Sequence, residues 1–114
     1  MSRGGYDSAT GAVAKALSDY QAAHNIFRLL GNDRSRAIAL MNIGILYQQA
    51  SDPEAALRYF AESREASGTD ASLSYAALNN SAQVLKDVGR YREAADQTRA
   101  ALGLARQFDS RKVA

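Results

Sequence analysis

The 114-residue chain has no cysteine, no tryptophan, one proline and one histidine. The absence of cysteine excludes disulfides, thiolate metal sites and thiol nucleophiles. No apolar run approaches the ~18 residues that a membrane span needs, and the opening Met-Ser-Arg-Gly-Gly lacks the apolar stretch of a signal peptide. A strong excess of one charge sign is missing too. Fourteen basic residues face twelve acidic ones, and a surplus of two is too weak to imply a nucleic-acid partner. What is present is the mix of an ordinary globular protein, 46% hydrophobic and 23% charged. The length is one domain's worth and can close a modest core. The expectation is a single soluble, cytoplasmic module with little catalytic equipment.

Alanine is the commonest residue, which together with the single proline favours helix. The breaks are regular. Gly31-Asn32-Asp33 ends one apolar-periodic stretch and can begin another. Ser51-Asp52-Pro53-Glu54 places a capping side chain before Pro at the first helical position, with an acid behind it. Gly68-Thr69-Asp70 offers glycine for a left-handed C-terminal turn and then a capping oxygen. Gly89 is the last strong break. Five helices follow, at 11–30, 34–50, 53–67, 71–88 and 91–108. Apolar residues recur at helical spacing: Leu40, Ile43 and Tyr47 in the second, Ala56, Leu57 and Phe60 in the third, Ala94, Ala95, Ala101 and Leu102 in the fifth. No alternating run of β-branched residues marks a strand. The loops are short, so neighbouring helices run antiparallel. A plain five-helix bundle satisfies these patterns as well.

An internal repeat narrows the choice. Leu40-Met41-Asn42-Ile43-Gly44-Ile45-Leu46-Tyr47 and Leu78-Asn79-Asn80-Ser81-Ala82-Gln83-Val84-Leu85 share a pattern of Leu, Asn, small and large residues at a shift of 38. Glu54-Ala55-Ala56 answers Arg92-Glu93-Ala94 at the same shift, and Ala16, Leu17 and Tyr20 match Ala56, Leu57 and Phe60 at a shift of 40. On this alignment Gly11 stands before its helix as Gly89 does. A small residue in one helix of a pair (Gly44, Ala82) lets its neighbour approach. Leu40, Tyr47 and Phe60 fill the space around that contact.

The pattern Leu40…Ile43-Gly44…Tyr47…Ala56…Phe60 resembles the tetratricopeptide repeat, a helix-turn-helix unit of about 34 residues. The copy Leu78…Ala82…Leu85…Gly89…Ala94…Ala101 resembles it more weakly, since Ser81 replaces a large apolar residue and Thr98 stands where Phe60 stood. The spacing of 38–40 is similar to the long-helix subtype of kinesin light chains, polarity adaptors and bacterial peptide-sensing regulators. The resemblance implies an all-α fold of antiparallel hairpins stacked as a short right-handed solenoid. Its expected organisation is one domain over 1–114. Residues 11–30 are the second helix of an incomplete repeat, 34–67 and 71–108 are repeats, and 109–114 start a further helix or form a tail, as in a segment of a longer array.

The same resemblance implies a non-catalytic module that binds a peptide or protein segment in a concave groove lined by the first helix of each pair. Asn42 and Asn80 then resemble the asparagine ladder that holds a peptide backbone in long-repeat members. An amide both donates and accepts, so it can pair with a peptide unit whatever the side chain. The opposing reading is that each Asn only bridges adjacent helices. Ile38, Met41, Ile45 and Gln49 from one repeat, with Asn79 and Gln83 from the next, complete the expected contact set. No Lys or Arg stands at these inner positions, which argues against the subtype that grips C-terminal carboxylates.

Little else carries chemistry. His24 lies mid-helix between Tyr20 and Phe27 and reads as a surface or interface residue rather than a proton shuttle. The Gly-and-acid turns lack phosphate-loop and calcium-loop patterns, and no His/Glu cluster has metal spacing. No catalytic, metal or cofactor site is expected. Arg outnumbers Lys by 11 to 3. Arg28, Arg34 and Arg36 flank one turn and Arg90 and Arg92 another, which could serve acidic ligands or simply helix ends. The aromatics do not interleave with these arginines, so an RNA-binding helical repeat ranks last. A self-assembly module ranks second. The apolar residues Leu17, Tyr20, Ile26, Phe27 and Leu30 exceed what one neighbouring helix can cover, and Leu104 and Phe108 do the same near the other end. A homodimer through residues 13–30, or else 102–114, is therefore expected.

Overall fold

The computed structural model describes the backbone of residues 3–113 and the side-chain surroundings of residues 11–107. It holds five helices: α1 (Arg3–Leu30), α2 (Asp33–Gln49), α3 (Pro53–Ser67), α4 (Ala71–Asp87) and α5 (Tyr91–Val113), with no strand among the described residues. The turns stop each helix for the reasons visible in the sequence. Asn32, Asp52 and Asp70 cap α2, α3 and α4, each accepting from the backbone N–H three residues on. Pro53 opens α3, where its missing N–H costs nothing.

Three of the turns close with the same bond. Asn32 N–H donates to the Phe27 carbonyl, Asp52 to Tyr47 and Arg90 to Leu85, each at 2.8–2.9 Å and each five residues back. This geometry needs a left-handed residue just before the donor. Gly31 supplies it at φ 69° and Gly89 at φ 83°, but at the α2–α3 turn the residue is Ser51, at φ 61°. Ser51 and Gly89 are 38 residues apart, so the repeat puts a serine where its copy has glycine. A left-handed conformation costs a non-glycine residue roughly 1–2 kcal/mol, and glycine's greater freedom when unfolded returns part of that. Ser51→Gly is therefore expected to stabilise the chain by about 0.5–1 kcal/mol. A denaturation midpoint that falls instead would contradict this reading of the turn.

Two expected boundaries are corrected. α1 begins at Arg3 rather than at residue 11, so Gly11 lies inside a helix and not before one. Nothing comes within 4 Å of where its Cβ would be; the cost of a mid-helix glycine, about 1 kcal/mol, is too small to stop a helix held by a neighbour. At the other end α5 continues to Val113, so residues 109–113 extend α5 and do not start a further helix. Asp109-Ser110 resembles a capping pair, but no Gly or Pro precedes it to end the helix.

Each helix packs on the next in sequence. The single additional contact among the described residues joins α2 to α4. The thin dimension of the molecule, 19 Å, is about two helix diameters. Stacked hairpins in two layers give this pattern, with α2 and α4 side by side in one layer, and a closed bundle does not. The packing is that of a short repeat solenoid, as expected.

The centre of the stack is Phe60. Its side chain is fully buried among Met41, Ala56, Ala77 and Val84, which come from α2, α3 and α4. The ring lies against Gly44 of α2: a Cβ there would sit 2.6 Å from Cε1 and 2.7 Å from Cδ1. A second cluster joins Ala37 and Leu40 to Ala66, with Tyr59 and Leu73 beside it. Ser63, also fully buried, donates its hydroxyl to the Ala37 carbonyl at 2.7 Å. That bond satisfies a hydroxyl that would otherwise be costly to bury.

Candidate functional site

Because α2 and α4 touch, their outer faces form one wall, and the expected contact residues distribute over it unequally. Ile38 is 41% exposed. Gln49, Asn79 and Gln83 are exposed, while Asn42, Ile45 and Asn80 are half-buried. Gln83 donates to Asp87 one turn on, at 3.0 Å. Met41 is a correction: at 8% exposure it belongs to the core with Phe60 and cannot serve as a ligand contact. The reason is positional. Asn79, its copy 38 residues later, is exposed because no described helix covers α4 as α4 covers α2.

The two asparagines differ in the same way. Asn80 donates from Nδ2 to Met41 Sδ across the α2–α4 contact, at 3.1 Å. Sulfur is a weak acceptor, so this bond leaves most of the amide's capacity unused. Asn42 has no side-chain hydrogen bond among the described residues. It lines a hollow of about 180 Å³ between α1 and α2, with Tyr20, Ala23 and Phe27 on one side and Ser35, Ile38 and Ala39 on the other. The structure thus brings Asn42 and Ile38, read as groove residues, together with Tyr20 and Phe27, read as interface residues.

The rest of the expected interface separates. Leu17, Tyr20 and Phe27 lie half-buried on the side of α1 that meets α2. Ile26 and Leu30 point elsewhere, at 55% and 73% exposed, beside Leu29 at 81%. Leu104 is half-buried on α5, and the side chain of Phe108 lies outside the described residues.

Two of the arginines flanking the turns are engaged across the repeat. Arg34 reaches Asp70 at 2.6 Å, and Arg90 reaches Glu54 at 3.2 Å and Glu93 at 2.7 Å. The two long-range pairs span the same 36 residues and tie the start of one helix to the start of its copy. All are exposed pairs, so they set register more than they stabilise. The Asp70 carboxyl is held below its ordinary range by the Ser72 hydroxyl, then by the Leu73 N–H, with Arg34 adding to both. Among the described residues no three His, Asp or Glu side chains could hold a metal, and no helix is long and apolar enough to cross a membrane.

His24 is half-buried on α1, and its Nε2 is buried without a hydrogen-bond partner among the described residues. Burial lowers its pKa below 6.5; Arg36 on α2 and Arg28 on its own helix lower it further, against Glu62 on α3 and the Asn25 side chain, which favour the charged form. The folded state thus holds a neutral imidazole more firmly than the unfolded chain does. Between the folded pKa and 6.5 the unfolded chain binds more protons, so stability rises with pH there. Melting temperature is expected to fall as pH drops from neutral through this window, and His24→Gln should flatten the slope. An unchanged slope in that variant would mean that other groups carry it.

The comparisons with known proteins agree with this architecture. The model of the family described as tetratricopeptide repeat matches residues 3–68, from the start of α1 to the α3–α4 turn. The matched span leaves out the α4–α5 hairpin, whose copy of the pattern is the weaker one. No curated protein and no solved structure matches the chain.

Proposed function

We propose that this chain, which belongs to the tetratricopeptide repeat family, holds an extended segment of another protein along the wall formed by α2 and α4. Repeats of this family generally mediate protein–protein interaction. The observation that carries the proposal is the placement of Asn42. Its amide has no hydrogen-bond partner among the described residues, stands at an apolar hollow, and neighbours the exposed Ile38. Asn80 illustrates what an amide at this register does when a neighbour is present: it reaches over to it. A bound segment would seat an apolar side chain between Ile38, Tyr20 and Phe27 and pair its backbone with Asn42, while Gln49, Asn79 and Gln83 border its path. The 38-residue shift that relates Ser51 to Gly89 and Gly44 to Ala82 supports grouping the chain with the long-spacing members. The role is one of scaffold and not of catalyst.

The test is a peptide-display selection against the full chain, followed by affinity measurements on its variants. Asn42→Ala is expected to weaken a selected peptide about tenfold, the cost of leaving a backbone group unpaired. Full affinity retained in Asn42→Ala/Asn80→Ala would sink the proposal. A second reading, self-association, is favoured by the bare strip Ile26, Leu29 and Leu30 on α1. Light scattering at micromolar concentration separates the two, since a concentration-independent monomer mass defeats self-association.

A further inference from the structure

The surface of the α2–α3 hairpin that receives α4 has a counterpart 38 residues later on the α4–α5 hairpin. No described helix covers it. The two surfaces differ in two ways. Thr98 stands where Phe60 stands and Ala95 where Leu57 stands, so the later surface is hollowed. Arg99 stands at Ala61, Arg92 at Glu54 and Lys86 at Gln48, so it is also more basic. The result is an open hollow of about 500 Å³ lined by Lys86, Tyr91, Ala94, Ala95, Thr98 and Arg99. Tyr91, Ala95, Thr98 and Leu102 recur at helical spacing along it, with Tyr91 68% and Leu102 46% exposed. Arg92, Arg99 and Arg106 follow at seven-residue intervals on one flank, all exposed, Arg99 also holding Asp96 at 2.6 Å.

We infer that this face docks an amphipathic α-helix of a partner protein that inserts a large apolar side chain over Thr98 and aligns carboxylates with Arg92, Arg99 and Arg106. A helix fits because α4 itself, a helix, covers the counterpart surface. A large side chain fits because Thr98 leaves the place of the Phe60 ring open, and Ala77, the small α4 residue packed in the Phe60 cluster, marks the position from which a larger one would reach it. Carboxylates fit because Glu54 and Ala61 share a groove with Leu78, Ser81 and Leu85 of the docked α4. A helix docked in the same way on α5 would carry those three positions beside Arg92 and Arg99. A second copy is the poorer occupant. Two-fold antiparallel pairing of α5 with itself brings each arginine row against its own copy. This site is separate from the α2–α4 wall.

The probe is a fluorescent peptide of residues 70–88 carrying Ala77→Leu with Leu78→Glu, Ser81→Glu and Leu85→Glu. Its twin carries lysine at the last three positions. Anisotropy titrations with the full chain are expected to show the glutamate peptide binding and the lysine twin bound about a hundredfold more weakly, since facing like charges cost several kcal/mol. The exposed triple variant Arg92→Glu/Arg99→Glu/Arg106→Glu should reverse that order. Restoring Ala77 in the peptide should weaken binding about tenfold, the loss of a buried leucine side chain, and Thr98→Phe in the chain should reverse this size preference. Asn42→Ala/Asn80→Ala should leave all of these affinities unchanged, which separates this face from the wall. Absence of binding, equal binding of the twins, or an order unmoved by the triple variant overturns the inference. So does a dimer by light scattering that Thr98→Arg disperses, because the face would then belong to a second copy.

Discussion

Phe60→Ala is expected to cost about 3–5 kcal/mol of folding free energy, the usual penalty for emptying a fully buried aromatic site. The position of the ring puts the cost in the upper half of that range. It is enclosed by residues of α2, α3 and α4 at once, so no single helix can slide in to fill the void. The small residues around it, Gly44, Ala56 and Ala77, have nothing to extend into the space. A domain of this size has only about 5–15 kcal/mol of stability in total, so the variant should melt far below the parent. Because Phe60 joins both hairpins, the whole transition should move, rather than a first phase splitting from it. Urea denaturation measures this. A midpoint shift equivalent to less than about 1 kcal/mol would show that the centre of the stack lies elsewhere.

That centre was legible in the sequence because it rests on local pattern. Helical spacing put Ala56 and Phe60 on one face, and the repeat put Gly44 opposite. The caps at Asn32, Asp52 and Asp70 and the glycine turns were legible for the same reason: each is decided within four residues of chain. What was not legible depends on position in the stack. Met41 and Asn79 hold the same register, yet one is core and the other exposed, because the helix that covers Met41 lies more than 30 residues away. Nothing local announces that Arg34 meets Asp70 or that Asn80 reaches Met41. Ser51 hides its left-handed turn behind an ordinary residue, and only its alignment with Gly89 exposes it. The helix ends at Arg3 and Val113 were missed because a lone glycine or a capping-like pair is a weak signal against a continuing helix.

The same alignment leads to the second large effect, a substitution whose sign depends on its neighbour. Gly44→Ala adds a Cβ 2.6 and 2.7 Å from two ring carbons of Phe60. Those distances are too short to keep, and the ring is hemmed in by Met41, Ala77 and Val84. Overpacking of this kind costs roughly 1–3 kcal/mol, against which alanine's better helix propensity returns about 1 kcal/mol. Gly44→Ala is thus expected to destabilise on balance, and Gly44→Leu to prevent folding or come close to it. The later hairpin has already made both changes, with Ala82 at the glycine position and Thr98 at the phenylalanine position. In a Phe60→Thr background, then, the obstructing ring is gone and Gly44→Ala should stabilise by about 1 kcal/mol through propensity alone. A double-mutant cycle should give a coupling of about 1–3 kcal/mol between the two sites. Additive effects, with Gly44→Ala carrying the same sign in both backgrounds, would mean that the ring adjusts freely and that glycine at this position answers some other demand.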